Sequence, residues 1–436
     1  MISKIAFGAR RAICWRAAVA CTSYARKTSP VVVRAIVGSR SFSFAAEPNA
    51  RAASTMLSEG EQQLKESVAV FVKEVVAPKV AEMDEKGEMD PEIIKACFDQ
   101  GIMGICAPEE YGGVGLGFTS VCVAVEEIAT VDPALAVLVD IHNTINIPSL
   151  MYHGTPEQKA KWLPLLATST PSSFCLTEAG SGSDAFALKT RAEWDAGAKQ
   201  WVINGTKSWI SNSSEAGLFI VFANVDPSKG HRGITAFLVE RGTPGLTVGQ
   251  REKKLGIRAS STCEVSFDNV RVGSGDVLGK VGEGYKIAIS LLNEGRIGIG
   301  AQMIGLSRGA FQVALDYIHE RKQFGKTIAD FQGMQFQYAR AAMEIEAAKV
   351  LVYNAARLRE NGLPFTAEAA MAKLLATETA QRVASQAVDW MGGVGYTKAT
   401  PAERFYRDSK IGTIYEGTSN MQLSTIAKLL QAPYKK

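Results

Sequence analysis

Phe174-Cys-Leu-Thr-Glu-Ala-Gly-Ser-Gly-Ser-Asp-Ala185 reads as a strand running into a glycine/serine loop, and it stands where the chain changes character. Before about Pro171 apolar residues fall at helical spacing, as at Leu64, Val68, Phe71, Val72, Val75, Val76 and Val80 within Glu59 to Asp84. Pro91 suits the first turn of a second helix. Thr155-Pro-Glu-Gln158 opens another, with Thr155 as N-cap, Pro156 in the first turn and Gln158 closing a capping box. From Ser173 to Val277 the pattern is instead short runs rich in β-branched and aromatic residues: 173–177, 201–203, 218–224, 234–239 and 262–267. Turn signals part them, at Asn204-Gly205, Asp226-Pro227 and Thr243-Pro-Gly245. Helical spacing returns near Tyr285 in three long stretches, about 286–321, 331–361 and 366–390, and a last helix is expected over about 418–431. The chain therefore reads as an α+β multidomain protein. An N-terminal helical domain (51–170) precedes a middle β-barrel or sandwich domain (171–282) and a C-terminal four-helix bundle (283–436).

The first 46 residues differ from the rest. They carry eight basic residues (Lys4, Arg10, Arg11, Arg16, Arg26, Lys27, Arg34 and Arg40), and no acid occurs before Glu47. Interspersed with serine and alanine, they are expected to be a mitochondrial transit peptide over about residues 1–50. Beyond them 40 basic residues face 44 acidic ones, a net of −4, which removes any electrostatic case for nucleic acid. No run reaches 18 uncharged apolar residues, so no membrane span is expected. The seven cysteines (14, 21, 97, 106, 122, 175 and 263) include no CxxC pair, and the four histidines (142, 153, 231 and 319) are far apart. Neither a disulfide frame nor a metal site follows from them.

Several segments have the composition that chemistry uses. The loop 179–184 offers backbone N–H groups and hydroxyls without bulk, which suits a phosphate, a pyrophosphate or the edge of a flavin. It is no Rossmann fingerprint, since no βαβ unit surrounds it. Trp209-Ile-Ser211 ends a strand, where a tryptophan ordinarily packs into the core. Asn293-Glu-Gly-Arg296 interrupts a helix with charges and a glycine, and Arg321 with Gln332 sits in a helix–loop–helix turn where a guanidinium suits pyrophosphate. Asp389-Trp-Met-Gly-Gly-Val-Gly395 leaves a helix with more glycine than a cap needs. In Thr413-Ile-Tyr-Glu-Gly-Thr-Ser-Asn420 the carboxylate of Glu416 lies between aromatic bulk and a glycine, a setting that raises a carboxyl pKa toward the range of a general base.

In this order the motifs resemble the acyl-CoA dehydrogenase family, over essentially the whole chain after the leader. Two signatures carry the resemblance: Cys175-Leu-Thr-Glu-Ala-Gly-Ser-Gly-Ser-Asp184, and the stretch from Asp389 through Gly392-Gly-Val-Gly395 to Arg404 and Asp408. Ser290-Leu-Leu-Asn-Glu-Gly-Arg-Ile-Gly298 and Gly256-Ile-Arg-Ala-Ser-Ser-Thr-Cys263 are similar to the mitochondrial short/branched-chain members. The resemblance implies FAD, a homotetramer in the mitochondrial matrix, an acyl-CoA substrate and electron-transferring flavoprotein as partner. It implies that Glu416 removes the α-proton while the β-hydrogen leaves as hydride to flavin. Phe174, Cys175, Leu176, Thr177, Glu178, Ala179, Gly180, Ser181, Gly182, Ser183, Trp209, Ile210 and Ser211 would hold the flavin. Arg321, Gln332, Asp389, Trp390, Met391, Gly392 and Gly393 would reach the FAD of a neighbouring subunit, with Thr418, Ser419 and Asn420 completing that site. Ser183, His231, Tyr285, Asn293, Glu294, Gly295, Arg296 and Gly417 would line the acyl-CoA channel.

The same resemblance implies that some members place the base just before the arginine equivalent to Arg296. Here that position is Gly295, which leaves Glu416 as the base. Two departures stand out: Ala399 replaces an acid or amide, and His231 stands where the family pattern has a tyrosine. The expected reaction is 2-methylbutanoyl-CoA to the 2-enoyl-CoA. Straight-chain butyryl-CoA or isobutyryl-CoA, an acyl-CoA oxidase and a non-enzymatic acyl-CoA-binding protein are the alternatives.

Overall fold

The computed structural model describes residues 54–435. The expected transit peptide, with Cys14 and Cys21, lies outside the described residues. Glu59–Phe71 (α1) runs through a π-helical stretch, Val72–Val76, into Ala77–Lys86 (α2). Helices Pro91–Asp99 (α3), Phe118–Ala129 (α4), Pro133–Ile141 (α5), Ile147–His153 (α6) and Pro156–Thr168 (α7) follow. A second π-helical stretch, His142–Asn146, joins α5 to α6. Both stretches end just before a proline, Pro78 or Pro148. A proline cannot donate to the carbonyl four residues back and clashes with it, so the ladder widens by one residue instead of breaking. The capping box at α7 forms in both directions: Thr155 Oγ1 accepts from the Gln158 N–H (3.3 Å), and Gln158 Oε1 accepts from the Thr155 N–H (3.0 Å). Pro133–His153 is long and apolar enough to cross a membrane by composition, but 94% of that window is buried inside the protein, which makes it a core helix.

Strands Ser172–Cys175 (β1), Arg191–Asp195 (β2), Gln200–Ser211 (β3), Leu218–Asn224 (β4), Ile234–Glu240 (β5), Leu246–Arg251 (β6), Thr262–Gly273 (β7) and Val277–Leu278 (β8) form one mixed eight-stranded sheet. Its order is β6-β7-β3-β2-β4-β5-β8, with β1 parallel to β4. β4 is buried along its whole length, as its unbroken apolar sequence requires, because separate cores cover the two faces of the sheet. One expected turn is absent. Asn204-Gly205 lies inside β3, where the register against β7 shifts between Ile203 and Gly205, so the pair marks a bulge. β2 and β6 went unread because their charged and exposed residues mask the alternation.

Helices Gly284–Glu320 (α8), Gln332–Glu360 (α9) and Thr366–Met391 (α10) pack against one another. A small hairpin, Lys322–Gln323 (β9) and Lys326–Thr327 (β10), links α8 to α9. α8 is continuous through Asn293–Arg296, against the expected interruption: Glu294 and Gly295 are buried there, and Glu294 pairs with Arg359 of α9. Ala402–Ser409 (α11) was not anticipated; Ser419–Gln431 (α12) closes the chain, with Thr418 Oγ1 accepting from the Met421 N–H. One hydrophobic core joins α1–α5 to α8–α11, and this junction carries the site.

Candidate active site

Glu416 sits in the turn before α12 with φ at +51°, followed by Gly417 at +86°. Two successive left-handed residues cost energy at the glutamate, so other bonds must hold the turn. Gln422 Nε2 donates to the carbonyls of Glu416 (3.1 Å) and Gly417 (2.8 Å). Tyr415, whose hydroxyl donates to Gln302 Oε1, anchors the preceding residue to α8. The Glu416 carboxyl is left without a hydrogen bond at Oε2. Burial pushes its pKa up from 4.5, Lys373 and Arg296 pull it back, and it settles at about 7. That is the working range of a general base at neutral pH.

The neighbouring helix makes room for it. A Cβ at Gly295 would lie 2.9 Å from Glu416 Oε2 and 2.9 Å from Ile145 Cδ1, so a side chain at 295 and the carboxylate of Glu416 compete for one point in space. Arg296 donates from Nη1 to Asn293 Oδ1 (2.9 Å), and its buried Nε has no partner. Behind Gly298 lies Asp140, fully buried, which accepts from Thr144 Oγ1 (3.1 Å) and leaves Oδ2 unpaired. Burial, then the facing charge of Glu416, pushes the Asp140 pKa well above the ordinary value.

Of the expected substrate residues, Gly295, Arg296, Asn293 and Gly417 therefore gather around Glu416. Glu294 is turned elsewhere: it is buried and paired with Arg359 on α9 (2.9 Å). His231 and Tyr285 form a second group, with ring centroids 4.6 Å apart, and Phe186 extends it at 4.3 Å from Tyr285. Ser183 is exposed in the nearby-in-sequence loop that also contains Phe186.

The strand-to-loop segment and Trp209-Ile-Ser211 are brought side by side. The Ser208 N–H donates to Thr177 O (2.9 Å), and Ser173 Oγ donates to Ser211 O (2.8 Å). Trp209 is not the core residue that a strand position predicts. It is 60% exposed at φ +62°, on a bulge where the β3–β7 register shifts between Lys207 and Ile210. A flat indole left in the open beside a small-residue loop, with nothing within 4 Å of a Cβ at Gly180 or Gly182, fits a planar group that bears phosphates. Cys175, Leu176, Ser181 and Ile210 are buried and Phe174 packs on Phe222, which leaves Gly180, Gly182, Ser183 and Trp209 among the exposed members of this group. Glu178 is committed to a buried pair with Lys207 (2.8 Å).

Arg321, Gln332, Asp389, Gly392 and Gly393 are exposed at the ends of α8, α9 and α10. Among the described residues none of them hydrogen-bonds to the Glu416 pocket. The side chains of Trp390 and Met391 turn into the bundle, and the indole donates to Gln337 Oε1 (2.9 Å). Lys373, Asp140 and Gln422 were missed from sequence. Lys373 alone left a trace, as a lysine in the alanine stripe Ala369, Ala372, Ala376 and Ala380 of a buried helix face.

Three family models cover the chain: the acyl-CoA dehydrogenase N-terminal domain over residues 58–170, the middle domain over 173–270 and the C-terminal domain over 282–431. The mitochondrial short/branched chain specific acyl-CoA dehydrogenase of Rattus norvegicus is 55% identical over 371 residues, 85% of each chain. The butyryl-CoA dehydrogenase of Megasphaera elsdenii superimposes with a TM-score of 0.84 at 40% identity, covering 86% of this chain and 99% of that one. An acyl-CoA dehydrogenase from Bacillus anthracis, solved in complex with FAD, matches with a TM-score of 0.81 at 30% identity, over 87% of this chain and 68% of its own.

Proposed function

The chain belongs to the acyl-CoA dehydrogenase family and is an acyl-CoA dehydrogenase, and on that premise we propose that it desaturates a short, 2-methyl-branched acyl-CoA with Glu416 as the base. The observation that carries the reading is the Glu416 carboxyl: its Oε2 buried and unpaired, with a pKa of about 7, facing the space that Gly295 leaves open. The α-proton of a thioester is weakly acidic, so its base must be poorly solvated and yet ionised at the working pH. Desolvation supplies the first condition; Lys373 and Arg296 supply the second. Removal of the α-proton breaks Cα–H, and the electron pair forms the new C=C as the β-hydrogen departs with its own pair.

Phe174, Thr177, the loop 179–183, Trp209 and Ser211 would hold FAD, with Thr418, Ser419 and Asn420. In a homotetramer, Arg321, Gln332, Asp389, Gly392 and Gly393 would reach the group held by a neighbouring copy. Bound FAD would supply the acceptor for the hydride, with electron-transferring flavoprotein as the proposed partner that takes up the electrons. His231, Tyr285 and Ser183 would face the acyl-CoA channel. The matrix is the proposed location, supported by the basic leader and by the mitochondrial relative.

The similarity at 55% to a short/branched-chain member, against 40% to a butyryl-CoA enzyme, favours the branched substrate, for isoleucine breakdown. Measuring kcat/KM for 2-methylbutanoyl-, butanoyl-, isobutyryl- and isovaleryl-CoA tests it; a preference for butanoyl-CoA would move the assignment to the straight-chain reading. Glu416→Gln is expected to keep its flavin absorption and lose at least about a thousandfold in turnover, as removal of a general base does. Turnover within tenfold of the parent would reject Glu416 as the base.

A further inference from the structure

Lys373, midway along α10, has no exposed side-chain surface. Among the described residues, two buried lysines solve the cost of burial differently. Lys207 pairs directly with a carboxylate, Glu178, at 2.8 Å. Among the described residues Lys373 has no ion pair within 4 Å; its ammonium donates to two backbone carbonyls, Gly412 O (2.5 Å) and Gly417 O (2.8 Å). Those two carbonyls bracket Glu416. A buried ammonium satisfied only by carbonyls is expensive unless its charge is needed nearby, since a neutral side chain could fill the same space.

We propose that Lys373 is the positioning residue of the base: it clamps the left-handed turn that carries Glu416 and keeps a fixed positive charge beneath the carboxylate. The clamp follows from geometry. Lys373 ties the turn from the α10 side and Gln422 ties it from the α12 side, so the carbonyls of residues 412, 416 and 417 are all held. The carboxylate is thereby aimed through the backbone, and Oε2 stays free for a proton. The charge has a second source in Arg296 on α8; Asp140 at the end of α5 and Tyr415 also face Glu416, and burial with the charge of Glu416 pushes both their pKa values up. Burial lowers the Lys373 pKa to about 8, with Glu416 raising it and Arg296 lowering it, so the ammonium remains charged where the base operates.

This inference rests on the reading of Glu416 as the base, and the experiment separates the two. The reconstituted holoenzyme is assayed across pH 5–9 as wild type, Lys373→Met, Lys373→Gln, Gln422→Ala and Glu416→Gln. Loss of a cation facing a carboxylate raises its pKa by about one unit or more, so the acidic limb of kcat/KM is expected to move up by that amount in both lysine variants. Turnover at pH 7 should fall about tenfold or more. Gln422→Ala, which unties the turn without changing charge, should lower turnover and leave the limb in place. A limb that stays put in both lysine variants, or moves as far in Gln422→Ala, overturns the proposal. If Lys373→Met does not fold, the double variant Lys373→Met/Glu416→Gln decides. Recovery of folded, flavin-binding protein supports the charge coupling, and failure to recover it assigns Lys373 a purely structural role. Turnover retained in Glu416→Gln sinks the base reading itself; an inactive Glu416→Gln with an unmoved limb sinks only the lysine.

Discussion

At Glu416 the same burial that makes a base also costs stability. Its folded pKa of about 7 lies above the ordinary 4.5, so the folded state binds the proton more tightly than the unfolded chain does. The cost is absent below about pH 4.5, grows as pH rises, and is complete above about pH 7; at ~1.4 kcal/mol per unit it reaches on the order of 3 kcal/mol. Glu416→Gln is therefore expected to be more stable than the parent at pH 8 by a few kcal/mol, and nearly equal at pH 4.5. Chemical denaturation midpoints at the two pH values check this, and a difference independent of pH would contradict it. Glu416 and Gly295 were both readable from sequence because a glycine and an acid beside apolar bulk are local signals. That they meet at one point was not, since they lie on different elements and only packing superimposes them.

Strand β3 illustrates how an element can carry opposite demands. Its bulge near Ser208 turns Trp209 outward while the flanking Lys207 and Ile210 stay buried. Lys207 reaches the loop after β1, where Glu178 also accepts from Thr190 Oγ1 (2.6 Å), Thr190 N–H (2.9 Å) and Lys189 N–H (2.6 Å). Burial pushes the Glu178 carboxyl up, but Lys207 and these donors carry it below its ordinary value. Glu178→Ala leaves a buried ammonium unpaired and should destabilise the protein by about 3–5 kcal/mol. Adding Lys207→Met should restore much of that loss, because the pair's value is largely the cost of breaking it. Urea denaturation of the single and double variants checks both statements. The motif places Glu178 in the loop expected to hold the cofactor; the tertiary pairing commits its side chain to holding that loop in shape.

Across the whole molecule, α11 is the meeting point of the N-terminal helices, the sheet region and the long-helix bundle. Arg407 donates to Asp84 Oδ2 of α2 (2.7 Å) and to Leu255 O (3.3 Å). Arg404 donates to Val131 O (2.6 Å), and Asp408 Oδ1 accepts from the Ile257 N–H (2.5 Å). Burial raises the Asp408 pKa to about 6, with Arg404 opposing. Asp408→Ala removes both the acceptor for Ile257 and the partner of Arg404, and should cost about 3–5 kcal/mol, read as a lowered calorimetric Tm. A wild-type Tm would show that the junction holds without it. The sequence by itself determined the helix–sheet–helix order, the long helices, the caps at Thr155 and Thr418, the glycine-rich loops and the acid at 416, because each depends on periodicity or on residues within a turn of one another. Only the tertiary structure decided that α8 runs unbroken past Gly295, that Trp209 faces outward and that Arg404 and Asp408 join the regions. It alone brought Lys373 to the carbonyls of Gly412 and Gly417 on either side of Glu416, 43 positions away in the chain. Desolvation and charge pairing, which fix the pKa of the base, arise when distant segments exclude water together, and no local pattern encodes that.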